Sequence, residues 1–133
     1  MSYNRDFTPD MIRHLNDNEI FVFGSNLAGM HGGGAAFAAV RFFGAVMGQG
    51  VGLQGQSYAI PTMHGGVDVI KPYVDEFIAF AAEHQEYRFL VTRIGCGIAG
   101  FSVSEIAPLF AAALDLENVI LPEDFVKLLE SPQ

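Results

Sequence analysis

The sequence predicts an α/β domain: three layers, with a mainly parallel sheet flanked by helices, spanning residues 1–133 as a single unit. Two observations lead there. Short apolar runs, β-branched or aromatic and each ended by Gly, Pro or a polar turn, alternate with segments of helical character. No internal repeat and no linker breaks that alternation. A βαβαβα order implies strands joined by right-handed crossovers, with helices on both sheet faces.

The elements follow in chain order. Glu19-Ile20-Phe21-Val22-Phe23-Gly24 reads as a buried strand. Residues 35–47 are apolar nearly all round, with Arg41 their only charge, which predicts a well-buried helix weakened toward its end by Gly44. A Gly- and Gln-rich connector over residues 48–56 leads to the strand Ser57-Tyr58-Ala59-Ile60, closed by Pro61. The next helix is expected to begin near residues 68–72, with proline in its first turn. Val74, Phe77, Ile78 and Ala81 then give it one apolar face. Arg88-Phe89-Leu90-Val91-Thr92 is the third strand. Ser102 and Glu105 have the form of a capping box, predicting a helix to about Leu114, its start displaced by Pro108. Asn118-Val119-Ile120-Leu121 is the fourth strand. Pro122 opens a short terminal helix with Phe125, Leu128 and Leu129 inward.

Composition bounds the function. The chain has 133 residues, half of them hydrophobic and 12 of them Phe, so one sizeable core can be filled. Cys96 is the only cysteine, so an internal disulfide is excluded. No apolar run reaches the roughly 20 residues of a membrane-spanning helix, and the first residues lack a signal-peptide layout. The expectation is a cytoplasmic protein without a membrane partner. With a net charge of −8 and scattered Lys and Arg, direct nucleic-acid binding is disfavoured. Any phosphate must be held mainly by backbone N–H groups.

Two Gly-rich loops lie where such groups are available. Both follow a strand and lead into a helix N-terminus, at the carboxyl edge of the sheet where ligands of open α/β sheets bind. The first holds Asn26 and His31-Gly32-Gly33-Gly34-Ala35; the second is Gly95-Cys96-Gly97-Ile98-Ala99-Gly100-Phe101. Uncapped N–H groups and the helix dipole attract an anion, and glycine lets the backbone approach it. The spacing matches neither the dinucleotide fingerprint nor a P-loop. The competing reading is tight turns with close strand–helix packing. Two loops side by side could clamp both groups of a pyrophosphate.

The order Asn26, then Gly32-Gly33-Gly34-Ala35 opening a helix, then Phe43-Gly44, then Arg93-Ile94-Gly95-Cys96-Gly97-Ile98 with Gly100, resembles the macrodomain family. Within it, the terminal ADP-ribose protein glycohydrolase branch is the nearest likeness, on its Arg-Ile-Gly-Cys-Gly run. The resemblance covers roughly residues 19–121. It implies a compact macrodomain-like fold that binds ADP-ribose or a related nucleotide diphosphate sugar. By position it puts Gly32, Gly33, Gly34 and Ala35 near one phosphate and the distal ribose. Gly95, Cys96, Gly97, Ile98 and Ala99 would surround the other phosphate, with Asn26 and Phe101 near the distal sugar. It also implies an early aspartate reading the adenine amine, for which Asp6 and Asp10 are the candidates. The chain departs from that branch where Thr62-Met63 stands for a catalytic lysine and Ala99 for a catalytic aspartate, so the covalent mechanism lacks its amine and its acid.

No catalytic residue is therefore assigned. A hydrolase would need Glu105, His31 or His64 as its acid, or a water positioned by the phosphates. Cys96 reads as a nucleophile for a hydrolase or transferase, or as a small residue packed under a phosphate loop; the second fits free Cys better. His31 reads as a phosphate donor or as an exposed loop residue, and Asn26 as a ligand contact or a turn bridge. His14, His31, His64 and His84 have no metal spacing, so neither metal nor cofactor is implied. The expected partner is a small phosphorylated ligand.

Overall fold

A computed structural model describes residues 6–97 and 99–130. It is an α/β protein with a six-stranded sheet in the order β1-β6-β5-β2-β4-β3. The strands are β1 (Phe7–Thr8), β2 (Glu19–Ser25), β3 (Gly52–Gln54), β4 (Ser57–Pro61), β5 (Arg88–Val91) and β6 (Val119–Pro122). The helices are α1 (Gly34–Phe42), α2 (Val67–Glu83), the single turn α3 (Val103–Ile106) and α4 (Glu123–Glu130), with a 3₁₀ helix (Ala107–Asp115) after α3. All strand pairs are parallel except β3 with β4. No helix among the described residues is long and apolar enough to cross a membrane.

β2 is central and apolar on both faces, as a strand covered on both sides must be. Ile20 and Val22 enter one core, and Phe21 and Phe23 the other. The larger core is closed by Ile70, Val74, Phe77 and Ala81 of α2, Phe110 of the 3₁₀ helix and Phe125 of α4. The Phe77 ring meets Tyr58 and Phe89 edge-on, at 5.1 and 5.4 Å between centroids. The smaller core holds Leu15, Ala39 and Phe43 against Phe21, Phe23, Leu90 and Ile120. Helix α1 and residues 9–15 thus cover one face; α2, α3, the 3₁₀ helix and α4 cover the other.

Several elements differ from the sequence reading, each for a physical reason. Helix α1 stops at Phe42, because Gly44 turns left-handed (φ 79°) and the Ala39 carbonyl accepts both Phe43 N–H and Ala45 N–H. It is also not well buried: Ala39 is its only fully buried residue, while Phe37 and Phe42 are 50% and 65% exposed. Pro72 lies inside α2 rather than in its first turn. The capping box forms, with Ser102 N–H donating to Glu105 Oε1 at 2.9 Å, but it starts only one α-turn. Beyond it Ala107, Phe110 and Ala113 are buried, a spacing of three that matches a 3₁₀ helix, in which i and i+3 eclipse. Two short strands, β1 and β3, were not expected. The connector is ordered, since β3 pairs with β4 through a two-residue turn at Gly55 (φ 60°). Gln54 donates to the carbonyls of Gln49 and Gly52 and accepts Val46 N–H.

Candidate functional site

The strand order creates the site. From β2 the chain passes through α1 on one face to β4; from β5 it passes through α3 on the opposite face to β6. β2 and β5 are neighbours, so their outgoing loops part to opposite sides and leave a crevice at the carboxyl edge between them. A crevice at such a switch point is where open α/β sheets bind ligands. Here it is a cleft of ≈ 250 Å³, walled by both Gly-rich loops.

The first loop is shaped by contacts beneath it. Asn26 bridges its own turn: Nδ2 donates to Met30 O at 3.1 Å and Oδ1 accepts Met30 N–H at 2.9 Å. Leu27 N–H donates to His64 Nε2 at 2.8 Å, so the loop after β4 holds the loop after β2. Gly29 and Gly50 press against the opposing backbone so closely that a Cβ on either would overlap it. Ser25 Oγ–H donates to Gly50 O. At the loop's end α1 begins from Gly33, with no side-chain cap and no acid in its first turn. The N–H groups of Gly34, Ala35 and Ala36 have no acceptor among the described residues.

The second loop is fixed from the core. A Cβ at Gly95 (φ 77°) would come within 2.9 Å of Ile106 Cδ1, so this position needs glycine on both counts. Phe101 N–H donates to Gly95 O and Cys96 N–H to Arg93 O, closing the turn. The N–H groups of Gly95 and Gly97 have no described acceptor.

The cleft therefore brings together Asn26, Gly32, Gly33, Gly34 and Ala35 from one loop with Gly95, Gly97 and Ala99 from the other. Met63 also lines it, so the two positions that the resemblance compares with a lysine and an aspartate both face the cleft without a titratable group. Four other candidates are not in its wall: His31, Cys96, Gly100 and Phe101. Ile98 lies outside the described residues.

His31 is neither exposed nor in the cleft. It is 1% exposed, edge-on to Phe23, and its Nε2–H donates to Gln49 O at 2.9 Å. The other ring nitrogen, Nδ1, is buried without a partner among the described residues. The ring therefore anchors the loop from below instead of facing the cleft. Phe101 and Cys96 pack against the larger core. Burial first, then the Asp124 carboxylate, pushes the Cys96 thiol above its ordinary pKa, with Arg93 opposing. That is the reverse of what a nucleophile requires. The other acid candidates are engaged as well, Glu105 in the capping box and His64 with Leu27 N–H.

A second lobe of ≈ 320 Å³ adjoins the cleft, sharing Gly34, Ala35, Thr92 and Arg93 as wall. Asp10, Met11 and Ile12 line it from the segment after β1, and Phe21 from β2. Asp6 is elsewhere, paired with Arg88 at 2.8 Å. The two lobes together fall within the roughly 300–1,000 Å³ of small-molecule sites. Arg93 and the second lobe were missed from sequence; an arginine just after a strand and before a Gly loop, in a chain with 7 Lys and Arg, was the available signal. No protein-family model, curated protein or solved structure matches this chain.

Proposed function

We propose that the protein binds ADP-ribose or a related nucleotide diphosphate sugar, the pyrophosphate held by the two Gly-rich loops as in a macrodomain. One observation carries this reading. Two loops from adjacent parallel strands present unpaired N–H groups, Gly34, Ala35 and Ala36 opposite Gly95 and Gly97, across a cleft nearly free of charged side chains. Backbone donors fixed in advance suit a phosphate, and a helix N-terminus adds a favourable dipole. The adjoining lobe supports a base on one side of the pyrophosphate. It offers an apolar wall, and the Asp10 carboxylate is available for an exocyclic amine.

Binding is favoured over ADP-ribosyl hydrolysis because Met63 and Ala99 transfer no proton, and His31, His64 and Glu105 are each engaged elsewhere. Calorimetric titration with ADP-ribose, with AMP and NAD as controls, is the test. Saturable heat with ADP-ribose preferred to AMP supports the reading. No heat at millimolar ligand means a Kd weaker than about 1 mM, under roughly 4 kcal/mol, and rejects it.

A further inference from the structure

Only one cationic side chain lines either lobe among the described residues, and it lies in the wall they share. Arg93 follows β5, whose neighbour β6 leads directly into α4. Asp124, in the first turn of α4, forms an ion pair with Arg93, its Oδ2 3.0 Å from Nε. Asp10 Oδ1 faces Nη2 at 3.7 Å, too far for a hydrogen bond, and is itself 90% exposed. A guanidinium has five N–H donors and stays charged at any physiological pH. Asp124 lies at the Nε edge, and among the described residues no acceptor forms a hydrogen bond with the N–H groups of the two Nη atoms.

Charge makes this position matter. The chain carries −8, so a diphosphate gains nothing from the overall field. Arg93 with Asp10 and Asp124 sums to a net negative charge as well. Attraction at this point must therefore come from short, directed N–H···O⁻ bonds, which an oriented fork makes and a diffuse potential does not. The Asp124 carboxylate lies at the Nε edge and leaves the Nη edge facing away from it.

We propose that Arg93 is the residue by which this site selects an anionic ligand, its guanidinium, paired with Asp124, meeting a phosphate where the two lobes join. This rests on the reading of the cleft as a pyrophosphate site, and names the side chain that makes such a site discriminate by charge. A nucleoside reaching only the base-side lobe gains nothing from it; a diphosphate gains a charge-assisted bond. Loss of such a bond weakens binding about 10- to 100-fold.

The test compares wild type, Arg93→Gln and Arg93→Lys, titrated with ADP-ribose, inorganic pyrophosphate and adenosine, the weak ligands followed by NMR to millimolar concentration. Thermal melting checks that each variant folds. The expected result is a 10- to 100-fold loss for ADP-ribose and pyrophosphate in Arg93→Gln, unchanged adenosine binding, and an intermediate loss in Arg93→Lys. If Arg93→Gln keeps the wild-type preference for ADP-ribose over adenosine, the assignment is overturned while ADP-ribose binding stands. If wild type binds pyrophosphate through Arg93 but not ADP-ribose, the nucleotide reading falls and the assignment stands. If wild type binds neither anion, both fall.

Discussion

Replacing Gly32 and Gly97 by alanine separates what the fold needs from what the cleft needs. Neither glycine has a positive φ, and a Cβ on either meets no atom of the described residues beyond its chain neighbours within 4 Å. Gly95 and Gly50 are different, since a Cβ there collides with Ile106 or with the Asn26 carbonyl. At Gly32 and Gly97 alanine removes unfolded-state freedom at no native cost, which stabilises by about 0.4–1 kcal/mol per site where the conformation is compatible. For a domain of this size that raises Tm by roughly 1–5 °C per substitution. Both glycines line the cleft, one on each side, so side chains there narrow the approach to the free N–H groups. With leucine at both positions the ligand loses two or more charge-assisted bonds at about 1.5–3 kcal/mol each, so affinity falls by about 10²–10⁴-fold. Differential scanning calorimetry reads the first effect and isothermal titration with ADP-ribose the second. An alanine pair that lowers Tm would refute the backbone argument. A leucine pair that binds ADP-ribose as wild type does would refute the two-loop clamp.

Two further outcomes follow from groups outside the cleft wall. His31→Ala removes a buried ring, its bond to Gln49 and its edge contact with Phe23; chemical denaturation should show a loss of about 2–4 kcal/mol, and an exposed loop histidine would show almost none. The Cys96 thiol, raised by burial and by Asp124, should react with iodoacetamide more slowly than free cysteine at pH 7. As an acid whose pKa is raised by folding, it adds stability that is present below its unfolded value near pH 8.5 and lost as pH rises through the folded value. Alkylation as fast as in the unfolded chain would contradict this.

The sheet's centre was legible because its residues are dictated locally. Ile20 to Phe23 are apolar on both faces, and a strand buried on both sides has no other composition available. The face of α2 was equally plain in Val74, Phe77 and Ala81. What could not be read was set by distant partners. β1 is two residues paired with Leu121 and Pro122 of β6, and nothing in Phe7-Thr8 encodes that pairing. β3 is three residues held by the Gly55 turn, whose Gly-Gln pair is a weak hairpin signal beside Asn-Gly. Two signals were present and misjudged. Gly44 stops α1 rather than weakening it, and the three-residue spacing of Ala107, Phe110 and Ala113 already differs from an α-helical stripe. At the site the loops were found through their glycines, but the sequence cannot separate glycines that fit the fold from those that leave room. Only the neighbours of a Cβ do so, and they put Gly95 in the first class and Gly97 in the second.

That distinction bears on how an acidic chain can hold an anion. A lysine-lined pocket would attract phosphate at long range, but with a charge of −8 around it the attraction would be largely cancelled. Fixed N–H groups need no charge of their own; they need to be aimed, uncapped and reachable. Each condition has its own cause in this chain. The reversal of strand order between β2 and β5 aims the two loops at one crevice. A glycine N-cap leaves the first turn of α1 without a side chain competing for its donors. Leu27 N–H bonds to His64 and His31 bonds to Gln49 O, so the first loop is tied from below at two points. Ordering paid in advance by folding is not charged against binding, and this is how uncharged groups can compete with water for a phosphate.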